Sequence, residues 1–134
     1  MSSYRFRWDT VWNSLDFLMS GLQVTLLLSA VTLVMAMIGG LLIAGLDMSR
    51  WRLLRWLGVS FGEVIRNTPI LVQLLWVYYV LPIVFGINIG AITALIIGLS
   101  VYQAAFISEV YRSGIQAVPK GHREAAQVLG LTPV

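Results

Sequence analysis

From Asn67 to Ser108 the chain carries no charged residue, an unbroken run of 42. As one α-helix that run would be about 63 Å long at 1.5 Å per residue, twice the thickness of a bilayer core. It must therefore fold back on itself. The segment Leu81-Pro82-Ile83-Val84-Phe85-Gly86-Ile87-Asn88-Ile89-Gly90 supplies the turn, with proline, asparagine and two glycines close together. A second charge-free run, Phe17 to Leu46, covers 30 residues. It begins after Asp9 and Asp16 and is too long for a signal peptide. Only 11% of the 134 residues are charged and 58% are hydrophobic. Soluble domains carry about a quarter charged residues, so an ordinary water-soluble enzyme and a disordered tail are both excluded. The predicted class is an all-α integral membrane protein. With no cysteine, a disulfide framework and a thiolate metal site are impossible.

Three transmembrane helices are expected, at about 22–46, 62–82 and 90–110. The second apolar stretch is short, so its helix is expected to begin near Ser60, with Pro69 inside it or at its first full turn. Arginine and lysine orient the bundle. Arg50, Arg52, Arg55 and Arg66 lie between the first two spans, and Arg112, Lys120 and Arg123 follow the third. The turn between spans two and three has none, and the N-terminal stretch has Arg5 and Arg7. This pattern places the first connection and the C-terminal segment in the cytoplasm. The N-terminus, with a stretch at 1–20, is then outside.

The connection from Asp47 to Arg66 has its own pattern. Leu53, Leu54, Leu57 and Phe61 project to one side, Arg52 and Arg55 to the other, and Trp51 and Trp56 flank the apolar face. This is the pattern of a helix lying in the membrane interface; the alternative is a basic loop with incidental leucines. Small residues recur every four positions at Ala36, Gly40 and Ala44 and at Gly90, Ala94 and Gly98, which predicts close helix–helix packing. Among polar residues in the apolar runs, Gln73 and Gln103 are candidates to line a translocation path, with interhelical hydrogen bonding as the alternative. Glu63 and Arg66, spaced i, i+3, are placed to pair at the entry to span two. No catalytic residue, metal site or cofactor is expected. The single histidine, His122, has no second histidine at ligand spacing, and no phosphate-cradling glycine loop is present.

After the third span comes a more polar segment. Gly114 is expected to loosen the end of the third helix, and Pro119 to open a short new helix over about 119–130 that Gly130 closes in the left-handed conformation. Val118, His122, Ala125 and Leu129 fall on one face. So short a helix is marginal alone in water. It reads as a docking element for another protein, or as an interface helix resting on headgroups.

Glu124-Ala125-Ala126, followed three residues later by Gly130, resembles the EAA loop of bacterial ABC importer permeases. The approach from Glu109 to Gly121 is similar to that of the polar amino-acid branch, the histidine, glutamine and glutamate type. So are Glu63-Val64-Ile65-Arg66-Asn67-Thr68-Pro69, the following Ile70 to Tyr79, and Gly21 to Leu26 with Trp8-Asp9. Asn67 stands where that branch usually has glycine, and His122 where glutamine is common. The resemblance implies a type I ABC importer transmembrane domain over 21–134, incomplete because the family pattern continues through two further spans. It implies a multi-pass subunit of the bacterial inner membrane that forms part of an amino-acid path, paired with a second permease subunit as a homodimer or heterodimer. An extracytoplasmic amino-acid-binding protein would deliver substrate. Separate cytoplasmic ATPase subunits would hydrolyse ATP, so this chain is not itself an enzyme, and no nucleic acid is involved. Gly121, Glu124, Ala125, Ala126 and Gly130 would contact the ATPase. The alternative function is a non-transporting membrane anchor or assembly subunit.

Overall fold

The computed structural model describes residues 8–130, apart from the side chains of Thr10, Lys120, Arg123 and Ala126. Arg5, Arg7 and the last four residues lie outside the described residues. Every element among the described residues is helical: α1 Trp8–Asn13, α2 Leu15–Asp47, α3 Arg52–Asn67, α4 Ile70–Leu75, a π-helical segment Trp76–Val80, α5 Leu81–Phe85, α6 Ala91–Gln116 and α7 Lys120–Val128. The chain divides into two compact units, one ending at Val31 and one beginning at Thr32. Two helices, α2 and α6, are long and apolar enough to cross a membrane, and the bent pair Arg52–Asn67 and Ile70–Phe85 makes a third if it forms one span.

The first unit is α1 and the opening turns of α2. Ser14 separates them, and its carbonyl accepts a hydrogen bond from the Leu18 amide at 3.0 Å as α2 begins. Thr25 Oγ1 donates to the Gly21 carbonyl at 2.9 Å. A hydroxyl that bonds back into its own helix removes the cost of an open polar group in lipid.

The second unit is built inside out relative to a soluble domain. Its buried apolar residues are alanines: Ala36, Ala44, Ala94, Ala104 and Ala105. Leucines, isoleucines and tryptophans such as Leu42, Trp56, Leu71 and Ile83 point outward. Lipid gives a large apolar side chain no reason to hide, so the interior goes to the residues that let backbones approach. Thr32, Ala36, Gly40, Ala44 and Asp47 are the buried stripe of this part of α2. A Cβ on Gly40 would lie 2.7 Å from Ile107 Cγ2 and 3.1 Å from the Ala104 carbonyl oxygen. One on Gly98 would lie 2.6 Å from Leu74 Cδ2, where α6 meets α4. Ala36, Gly40, Ala44, Ala94 and Gly98 are therefore packing positions. Gly90 is not: it is exposed and stands at the N-cap of α6.

Pro69 stands outside the helices. Thr68 and Pro69 are both extended, at ψ 127° and 133°, and α3 meets Ile70–Phe85 at 106°. A proline disfavours the α region for the residue before it and has no amide hydrogen to give, so α3 stops at Asn67 and a new helix begins at Ile70. Thr68 Oγ1 closes the end of α3 by donating to the Val64 carbonyl at 2.7 Å.

The π-helical segment has a related cause. Pro82 cannot donate, and its ring would collide with the carbonyl four residues back. The Leu81 amide instead reaches the Trp76 carbonyl, five residues back, which widens the turn ahead of the proline. Gly86, at φ 64°, then ends α5 in the left-handed conformation, and the Ile87 amide donates to the Pro82 carbonyl at 3.1 Å. Gly114 does not end the third long helix, which continues to Gln116. A lone glycine costs a helix only about 1 kcal/mol. Arg112, one turn from Glu109, crosses the weak point by donating to Gln116 beyond it.

Candidate functional site

Three helix ends meet at a charged pocket. Asp47 ends α2, Arg66 lies in the last turn of α3, and Glu109 and Arg112 sit in the later turns of α6. With Arg55, Glu63 and Gln116 they line a cavity of about 810 Å³. Three carboxylates and three guanidiniums make its formal charge zero.

Geometry explains the gathering. At 100° per residue α3 has three faces. Gly58 and Gly62 form a buried face, Leu53, Leu57 and Val64 an exposed apolar one, and Arg55, Glu63 and Arg66 a polar one that lines the pocket. The buried face is bare where the chain is crowded. A Cβ on Gly58 would fall on Asp47 Oδ1 and 3.0 Å from Leu46 Cβ. Asp47 is thereby sealed against α3, and its Oδ1 has no hydrogen-bond partner among the described residues.

The expected Glu63–Arg66 pair does not form. Glu63 is exposed, and Arg66 turns inward, its Nη1 donating to the Ala105 carbonyl on α6 at 2.9 Å. Among the described residues the ion pair is instead Glu109 with Arg112. Arg112 Nε donates to Glu109 Oε2 at 3.0 Å, Nη2 to Glu109 Oε1, and Nη1 to Gln116 Oε1 at 3.0 Å. Such a fork fixes orientation more than it adds stability, because both partners are over a third exposed.

Gln73 and Gln103 are not brought together. Gln73 is buried on α4 and lines a separate apolar cavity of about 340 Å³ with Ile97 and Val101 of α6. Its Oε1 is buried without a partner among the described residues. Gln103 lies on an exposed face of α6 and does not line that cavity.

The short helix α7 follows α6 after three residues. Pro119 precedes it, and Gly130 follows its last turn at φ 77°. Gly121, Glu124 and Ala125 are exposed, and nothing stands within 4 Å of a Cβ placed on Gly121. The side chain of Ala126 lies outside the described residues. Val118, His122, Ala125 and Leu129 are all exposed, so their shared face is uncovered.

Sequence reasoning missed Asp47 as a pocket residue and Arg66 as a link to α6. A signal for both was present: Gly58 and Gly62, four apart on an otherwise bulky helix, mark a face that packs closely.

Comparison with known proteins agrees with this architecture. The chain is 35% identical over 117 residues to the arginine transport system permease protein ArtQ of Bacillus subtilis, covering 87% of this chain and 53% of that protein. It is 41% identical over 137 residues to the probable amino-acid ABC transporter permease protein y4tG of Sinorhizobium fredii, covering 97% of this chain and 59% of the relative. A solved structure described as an amino acid ABC transporter with histidines matches at a TM-score of 0.88 and 37% identity, over 96% of this chain and 60% of that one. The chain thus spans a little over half the length of these relatives. The family model for binding-protein-dependent transport system inner membrane components matches residues 36–134, and the chain belongs to that family.

Proposed function

We propose that this chain is part of the permease subunit of an ATP-driven amino-acid importer. The observation that carries the reading is the uncovered helix α7, bearing Glu124-Ala125-Ala126 and joined by three residues to the long apolar helix α6. The relatives named as arginine and amino-acid permeases support the substrate class. In this reading the apolar part of α2, the bent pair around Pro69 and the helix α6 supply three crossings, with residues 1–20 outside and α7 in the cytoplasm. Gly121, Glu124, Ala125, Ala126 and Gly130 meet a cytoplasmic ATPase subunit, which alone hydrolyses ATP. Glu124 offers its carboxylate to a donor on the ATPase, and the small residues let the partner approach. An extracytoplasmic binding protein delivers the amino acid, and a second permease subunit completes the path. Buried Gln73 is the polar group best placed along that path; exposed Gln103 faces a neighbouring helix or the second subunit. Closure of the ATPases moves α7 and α6 as rigid bodies and alternates access.

The test is copurification and uptake with the intact permease carrying Glu124→Lys. The expected result is loss of the ATPase from the detergent-solubilised complex and loss of amino-acid uptake, with the permease still in the membrane. Retention of both in the variant refutes the docking assignment.

A further inference from the structure

We infer that Arg66 is a positioning residue, a strut that makes the bend at Thr68–Pro69 follow the movement of α6. The inference rests on the importer reading above. Its first support is the acceptor. Arg66 Nη1 donates at 2.9 Å to the Ala105 carbonyl, a main-chain atom in the middle of α6. Ala105 is 0% exposed, and the same oxygen accepts the hydroxyl of Ser108, also 0% exposed, at 2.9 Å. A side-chain acceptor can swing away while its helix stays still. A carbonyl inside a helix moves only when the helix moves.

The second support is the room made for the guanidinium. Gly62 lies one turn before Arg66, and a Cβ there would stand 2.9 Å from Nη1. The guanidinium therefore lies across a bare stretch of backbone and reaches α6, instead of pairing with Glu63 beside it on α3.

The third support is position. Arg66 is two residues from Thr68, where α3 gives way to a helix set at 106° to it. Pro69 has no amide hydrogen, so no regular helical bond stiffens the corner at that residue. On the other side α6 runs unbroken from Ala105 to Gln116, and α7 begins at Lys120. A push on α7 reaches the Ala105 carbonyl through α6, and Arg66 passes it to the corner from which Ile70–Phe85 departs. Removing the strut should leave the ATPase able to cycle while the path no longer follows.

The experiment compares wild-type importer with Arg66→Gln, Arg66→Lys and Gly62→Ala in proteoliposomes containing the ATPase and the binding protein. Uptake of the amino acid and ATP hydrolysis are both measured per assembled complex. We expect Arg66→Gln to lower the number of substrate molecules moved per ATP at least about fivefold, the low end of ordinary coupling between sites. Hydrolysis should stay within about twofold of wild type, a change too small to account for such a loss. Gly62→Ala leaves the arginine in place and displaces only its flexible end, so it should lower the ratio in the same direction. Arg66→Lys retains a donor and should fall between. An unchanged ratio in Arg66→Gln and Gly62→Ala overturns the inference. So does a parallel fall in uptake and hydrolysis, which marks a merely structural role. A wild-type complex without ATP-driven amino-acid uptake overturns the importer reading itself, and this inference with it.

Discussion

Replacing Gly40 with alanine adds one methyl group and, by helix propensity alone, would stabilise α2 by up to about 1 kcal/mol. The structure predicts the opposite sign. The new Cβ would lie 2.7 Å from Ile107 Cγ2, 3.0 Å from Ile107 Cβ and 3.1 Å from the Ala104 carbonyl oxygen. Ordinary carbon–carbon contact is about 3.5–4.0 Å, so the shortfall is about 1 Å. Ile107 cannot rotate clear, because its Cβ is fixed to the backbone and its branched side chain has little freedom at χ1 on a helix. The carbonyl is backbone as well. Relief requires this part of α2 to back away from α6, at an overpacking cost of about 1–3 kcal/mol. Gly45 provides the control: a Cβ there has nothing within 4 Å, so Gly45→Ala meets no clash. The two variants should differ by about 1–3 kcal/mol, with Gly40→Ala the less stable, because the propensity gain is common to both and only the overpacking cost separates them. Equilibrium unfolding of the permease in mixed micelles, titrated with a denaturing detergent, measures that difference. If Gly40→Ala proves as stable as Gly45→Ala, the close approach of α2 and α6 is not a feature of the folded protein and the packing argument fails.

Two smaller predictions follow from single residues. Gly86→Ala forces a side chain into φ 64° and should cost about 1–2 kcal/mol in the same unfolding assay, because the left-handed conformation crowds a Cβ. Arg112→Ala removes the fork on Glu109 but should leave stability close to that of wild type in the same assay, since both side chains are over a third exposed; a clear loss would mean that the pair is shielded from water.

How much of this was legible beforehand differs from element to element. The turn near Gly86 was readable because Pro82, Gly86, Asn88 and Gly90 act locally, and Gly86 does take the left-handed conformation. Gly130 was readable for the same reason. Gly40 and Gly98 are readable as packing positions because small residues at every fourth place let backbones approach, although Gly90, in the same series, falls at the exposed N-cap of α6 instead. The bend at Pro69 is sharper than the apolar run implies: its length points to a helix with Pro69 inside it or at its first full turn, whereas the constraint on Thr68 ends α3 outright. Gly114 falls in the last turn of α6, and the Arg112–Gln116 side-chain bond spans it. The Glu63–Arg66 spacing was correct for a pair on a free helix. It failed because Gly62 opened another route for the guanidinium, to a buried carbonyl 39 residues away.

The amino-acid sequence by itself determined that this chain is a bundle of apolar helices, where the turn between the last two apolar stretches falls, and which residues share a face. Those properties depend on hydrophobicity, on backbone freedom at proline and glycine, and on the helical period, all of which act within a few residues. Tertiary structure alone decided which face meets which neighbour. It sealed Asp47 against Gly58, sent Arg66 to Ala105 and left Gln103 exposed while burying Gln73. The period of a helix records which side chains lie together, but the partner of each face is set by how closely backbones can approach, and that depends on residues far apart in the chain.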